Sequence, residues 1–138
     1  MPKVSVLLAD NNSAVLDRVA KLLRADYNVV GAVKDGAAVL AESLRLNPDI
    51  IVLDISMGEL SGIDVARRLR DSGCNSKIIF LTVHEDADFV NAAMGVGAAA
   101  YVVKSRLSLD LITAIHAVLT NKLFVSPNLL YVQEEKGG

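Results

Sequence analysis

The 138-residue chain has no tryptophan, three prolines, one cysteine and only 4% aromatic residues. A single thiol, Cys74, allows no intrachain disulfide and no cysteine-based zinc site. Basic residues are not in excess either: 14 Lys and Arg stand against 16 Asp and Glu, a formal charge of −2. That balance argues against direct nucleic-acid binding by this chain, because phosphate contacts need a basic surface. No apolar run approaches the ~20 residues of a membrane helix, and no signal-peptide pattern opens the chain. The expected setting is cytoplasmic, with no membrane association. His84 and His116 have no partners at metal-ligand spacing. What remains is an aliphatic chain, 52% hydrophobic, long enough to bury a core as one domain.

The most informative stretch runs from Pro48 to Gly62. Pro48 ends the preceding helix, since the residue before a proline is pushed out of helical geometry. Ile50, Ile51, Val52 and Leu53 then follow without polar alternation. Such a run suits a strand buried on both faces, as in a parallel sheet covered by helices above and below. A carboxylate, Asp54, follows it, and then a loop holding Gly58 and Gly62. Open parallel sheets carry their sites at the C-terminal ends of the strands.

Similar runs mark the other elements. Strands are predicted over Val4–Ala9, Asn28–Val33, Lys77–Val83 and Ala99–Val103. A helix capped near Asn12 or Ser13 carries Val15, Leu16, Val19, Leu22 and Leu23 at helical spacing. Asp35-Gly36 reads as a turn before a helix from Ala37 to Leu46, with Val39, Leu40 and Leu44 on one face. A third helix follows Gly62, a fourth runs from Asp86 to Met94, and a last one spans Leu107–Leu119, capped by Ser108. Five strands alternating with five helices predict a (βα)5 doubly wound parallel sheet of flavodoxin-like type, order 2-1-3-4-5.

In that order one rim of the sheet gathers Asp10 and Asn11, Asp54, Thr82 and Lys104 from four strand ends. Each alone is explained as a loop residue or helix cap; their joint placement suggests a site. Two carboxylates suit a hard divalent cation such as Mg2+, which keeps several waters. The cation, a hydroxyl and a lysine can neutralise charge on a transferred phosphoryl group, with Asp54 as the nucleophile. The first strand–helix loop, Ala9-Asp10-Asn11-Asn12-Ser13, has no glycine, so it is neither a dinucleotide fingerprint nor a P-loop. A haloacid-dehalogenase phosphatase would need a second Asp two residues beyond Asp54, where this chain has Ser56.

From Lys3 to about Pro127 the chain resembles the receiver domain of two-component response regulators. The resemblance rests on Leu7-Leu8-Ala9-Asp10-Asn11-Asn12, Pro48 to Met57, Leu60-Ser61-Gly62-Ile63-Asp64, Ile78-Ile79-Phe80-Leu81-Thr82 and Gly97 to Lys104. It implies Asp54 as phosphoacceptor, Asp10 in a Mg2+-binding acidic pocket, and Ser56 offering its backbone carbonyl to the metal. It further implies Thr82 as the switch hydroxyl, Lys104 as its cationic partner and Tyr101 as the aromatic switch. Ser56 and His84 fall where family members vary residues that tune dephosphorylation.

Three departures from the family pattern stand out. Asn11 replaces the second acid, which keeps an oxygen ligand but removes a charge and should weaken Mg2+ binding. Gly58 stands where proline is common, implying a looser loop, and Ser105 follows Lys104 where many members have proline. The last trait, with Asp110 to Pro127, resembles the branch whose output is a LuxR-type helix-turn-helix. Residues 1–127 are thus expected to form the receiver and 128–138 a linker or disordered tail. The expectation is either a natural single-domain receiver or the excised N-terminal half of a regulator. The implied function is phosphoryl transfer from a histidine kinase to Asp54, switching a surface of the fourth helix, fifth strand and fifth helix. That surface could also form a homodimer, and the output would be transcription regulation through an absent DNA-binding domain. The chain itself would be no enzyme beyond self-phosphotransfer and autodephosphorylation. The alternatives are a phosphate-independent binding module of the same fold and, more weakly, a small phosphatase.

Overall fold

The structure, a computed structural model, describes residues 3–127 and 129. Its strands are β1 (Ser5–Ala9), β2 (Asn28–Val33), β3 (Ile50–Leu53), β4 (Lys77–Thr82), β5 (Ala100–Val103) and β6 (Phe124–Val125). The helices are α1 (Ser13–Leu23), α2 (Gly36–Leu46), α3 (Gly62–Asp71), α4 (Ala87–Gly95) and α5 (Leu107–Leu119). All strand pairs are parallel, in the order β2-β1-β3-β4-β5-β6. The predicted 2-1-3-4-5 sheet is therefore present, extended by one strand.

The period of two along each strand divides the interior into two cores. Ile50 and Val52 of β3 join Val6, Leu8, Ile79, Leu81 and Val102 beneath α1 and α5. Ile51 and Leu53 join Leu7, Ile78, Phe80 and Tyr101 beneath α2, α3 and α4. Truncating one of these buried aliphatics to alanine costs about 2–5 kcal/mol. Two packed faces leave the strand ends as the natural place for polar groups.

Four expectations need correction. Leu44 is 74% exposed, and the inner face of α2 is Gly36, Val39 and Ser43. Leu44 lies five residues from Val39, well off its face. Asp35 is the N-cap of α2 rather than a turn residue, accepting the Ala38 N–H at 2.8 Å. Gly36 opens that helix because Leu60 and Val65 crowd it: a Cβ there would lie 2.9 Å from both side chains. Ser108 does not cap α5. The Lys104–Arg106 turn of 3-10 helix leads straight into Leu107, so Ser108 already lies in the first turn, accepting from Arg18 Nη2 at 2.6 Å.

The fourth correction concerns the strand count: five strands were expected, and Phe124–Val125 adds a sixth beside β5. Two residues are too few to show a period. The expected tail, 128–138, lies outside the described residues apart from Leu129. No helix among the described residues is long and apolar enough to cross a membrane.

Candidate functional site

Parallel pairing of β1, β3, β4 and β5 brings the anticipated residues to one rim. Asp10 follows β1, and its amide donates to the Val33 carbonyl at 3.0 Å. Asp54 follows β3, its amide donating to the Ala9 carbonyl at 3.0 Å. The two carboxylates therefore stand on neighbouring, hydrogen-bonded strand ends. Both are 3% exposed. Lys104 reaches back from the end of β5, placing Nζ 2.8 Å from Asp10 Oδ2 and 3.2 Å from Asp54 Oδ2. One ammonium thus bridges two buried carboxylates, leaving a net negative charge in the pocket.

The remaining oxygens define what the pocket can accept. Asp10 Oδ1 takes the Asn12 N–H at 2.8 Å, while the Asn12 side chain caps α1 by accepting from Ala14 N–H at 2.9 Å. Asp54 Oδ1 is buried with no hydrogen-bond partner among the described residues. Asp10 Oδ2 has the Lys104 ion pair but no aligned donor. A buried carboxylate oxygen without a donor is costly unless a ligand completes it. Burial pushes the Lys104 pKa down, but the two carboxylates it contacts, Asp10 and Asp54, outweigh it, and the net shift is upward. Lys104 is therefore a fixed cation across the neutral range.

Gly62 shapes the loop beyond Asp54. Its N–H donates to the Ile55 carbonyl at 2.7 Å, and a Cβ on it would fall 2.0 Å from the Asp54 carbonyl oxygen. Only glycine lets α3 begin this close to the Asp54 backbone. Gly58 takes φ +84°, a left-handed conformation that proline, fixed near −65°, does not adopt. The loop thus takes a turn that a proline at this position would not allow.

The other predicted residues sit as follows. Thr82, fully buried, ends β4 and accepts the His84 N–H at 3.4 Å. Ser56 is exposed, and its hydroxyl lies 2.7 Å from His84 Nε2; the imidazole stacks on Phe89 with ring centres 4.1 Å apart. Tyr101 is fully buried on β5 and donates from its hydroxyl to the His84 carbonyl at 2.7 Å. Burial, with the charges of Asp86, Asp54 and Glu85, pushes its phenol pKa well above the usual range. Asn11 is exposed at the lip of the β1–α1 loop. Sequence reasoning missed Asp110 and Ser126, two buried polar residues behind Lys104; Arg106 four residues before Asp110 was the one signal available.

Residues 6–116 match the family model of the response regulator receiver domain. With this sheet order and this rim of polar residues, the chain belongs to that family. The uncharacterized transcriptional regulatory protein YvfU of Bacillus subtilis (strain 168) is 32% identical over 130 residues, covering 93% of this chain and 65% of that protein. A LuxR-family two-component response regulator from Aurantimonas sp. SI85-9A1 superposes with a TM-score of 0.86 at 28% identity, covering 91% of each chain. The isolated REC domain of RcsB from Salmonella enterica serovar Typhimurium, solved with the phosphomimetic BeF3-, gives 0.83 at 25% identity, covering 91% of this chain and 94% of that one. The chain spans 54–65% of the length of the curated relatives it matches. Receiver domains are regulatory modules rather than enzymes, and these relatives are response regulators of the LuxR/NarL type.

Proposed function

We propose that Asp54 is a phosphoacceptor. A carboxylate oxygen of Asp54 attacks the phosphorus of a histidine kinase phosphohistidine. The P–O bond of an acyl phosphate forms as the P–N bond breaks, and the imidazole leaves as the neutral ring after protonation. The observation that carries this reading is Asp54 Oδ1, buried and without a partner, while Oδ2 is held by Lys104. Lys104 offers positive charge to the developing phosphoryl oxygens, and Thr82, one strand over, offers a hydroxyl.

The donor set fits Mg2+. Among the described residues no cluster of three or more His, Cys, Asp or Glu could hold a metal. A cation here would use two carboxylates, Asp10 and Asp54, with the Ser56 carbonyl, Asn11 and water completing the shell, as Mg2+ prefers. When bound, it would supply electrostatic neutralisation of the phosphoryl group. Phosphorylation would draw Thr82 toward Asp54 and release Tyr101, shifting the surface of α4, β5 and α5 between two states. That surface would contact a further copy or an output domain and so reach transcription. Ser56 and His84, joined side chain to side chain, flank the pocket mouth and would set the access of hydrolytic water.

Asn11 favours a second reading, a phosphate-independent binding module. Intact mass after incubation with acetyl phosphate, with and without Mg2+, decides between them. One phosphoryl adduct, dependent on Mg2+ and absent in Asp54→Asn, is expected. No adduct in wild type or in Asn11→Asp, with no binding of BeF3-, would overturn the phosphoacceptor reading.

A further inference from the structure

The turn that carries Lys104 is held from behind by an arrangement that phosphoryl transfer itself does not require. The Val103 N–H, next to Lys104, lies beyond the last residue of β6, so no strand carbonyl is available to it. Ser126 Oγ accepts it instead at 3.1 Å and donates to Asp110 Oδ2 at 2.8 Å. The Ser126 N–H in turn donates to the Tyr101 carbonyl at 2.9 Å. On the far side of the turn, Arg106 Nε and Nη2 grip the same Asp110 carboxylate at 2.7 and 3.2 Å. Ser126 and Asp110 are 2% and 5% exposed. Both ends of the short Lys104–Arg106 turn therefore converge on one buried carboxylate, and one of the two attachments runs through the segment after α5.

We propose that Ser126 and Asp110 are positioning residues that hold the Lys104 ammonium between Asp10 and Asp54, so that docking of β6 is coupled to the state of the Asp54 pocket. The coupling to phosphorylation rests on the phosphoacceptor reading; the positioning of Lys104 does not. Ordered hydrogen bonds on both flanks fix the backbone from which a long, flexible side chain must reach two carboxylates. Linkage runs both ways at equilibrium: a phosphoryl group that shifts Lys104 must alter the affinity of β6 for the edge of β5 by the same factor by which β6 docking alters the phosphorylation equilibrium. The chain beyond Pro127 would thereby receive the state of Asp54 through its own first residues.

The test uses the 15N-labelled full chain as wild type, Ser126→Ala, Ser126→Thr and Asp110→Asn, with the Lys104 Nζ resonance assigned by its loss in Lys104→Arg. Ser126→Ala is expected to move that resonance, to speed Val103 amide exchange at least tenfold and to slow acetyl-phosphate phosphorylation at least fivefold. Ser126→Thr should restore all three. Asp110→Asn should displace the same Lys104 resonance, and it decides the matter if Ser126→Ala does not fold. If both variants free the Val103 amide yet leave the Lys104 resonance and the phosphorylation rate at wild-type values, the hydroxyl only fastens β6 and the proposal is wrong. Wild type that takes no phosphoryl group would defeat the phosphoacceptor reading, and the Lys104 resonance would still decide the positioning.

Discussion

The hydroxyl of Tyr101 donates to the backbone carbonyl of His84 at 2.7 Å, tying the middle of β5 to the loop that follows Thr82. The loop is held twice, because the His84 imidazole also meets Ser56 across the pocket mouth. Tyr101→Phe removes the first tie and leaves a carbonyl short of its donor, with little change in volume. A loss of about 0.5–1.5 kcal/mol is expected, read as a lower denaturant midpoint with an unchanged slope. The raised phenol pKa has a defined sign. The contribution is present in full below the unfolded value near 10 and falls as pH rises toward the folded value, so wild type should lose stability above about pH 10 faster than Tyr101→Phe.

Gly62→Ala tests how tightly the α3 N-terminus abuts Asp54. A Cβ 2.0 Å from a backbone oxygen cannot be accommodated without moving that backbone. Overpacking of this kind costs about 1–3 kcal/mol, and displacement of Asp54 should slow phosphoryl adduct formation at least tenfold. Gly95→Ala is the control. It closes α4 with nothing within 4 Å of the added methyl, and a melting temperature unchanged or raised is expected. Equal losses in both variants would show that the contact at Gly62 has no special weight.

Asp110 predicts behaviour in acid. Burial raises its pKa, but the hydrogen bonds from Arg106 and Ser126 and the Arg106 charge outweigh it, and the net shift is downward. A depressed carboxyl contributes stability above its unfolded value of about 3.9, and that contribution is lost as pH falls through the folded value. Asp110→Asn should be less stable than wild type by about 1–3 kcal/mol at pH 7, and the gap should narrow below about pH 4. A gap that stays constant from pH 7 to pH 3 would contradict the assignment.

The fold was legible because the unalternating runs at β3 and β4 leave little besides a two-faced parallel sheet, and topology then delivers Asp10, Asp54, Thr82 and Lys104 to one rim. Side-chain partnerships were not legible. Nothing in the spacing of Ser126 and Asp110, sixteen residues apart, signals a shared hydrogen bond. Phe124–Val125 is too short for a period to exist, and its pairing depends on where α5 ends. Leu44 misled because α2 carries apolar residues beyond its inner face, and helix periodicity alone does not say which of two neighbouring stripes meets the sheet. Gly58 was readable as a departure from proline, but its positive φ came only with the loop's shape.

The exposed Asn11 makes the sharpest quantitative test of the pocket. As a ligand, an amide offers an oxygen without the charge that draws a hard cation. Asn11→Asp should therefore lower the Mg2+ concentration for half-maximal phosphorylation by about tenfold, equivalent to about 1.4 kcal/mol. Where position 11 faces the cation, as proposed, the same substitution brings a third carboxylate to the site, so the protein should be less stable without Mg2+ and regain that loss as the cation binds. Phosphorylation titrated against Mg2+, with thermal melts at zero and saturating Mg2+, reads both effects. If the Mg2+ dependence is identical in the two proteins, position 11 does not face the cation, and the weakening expected from the amide is removed from the account of this site.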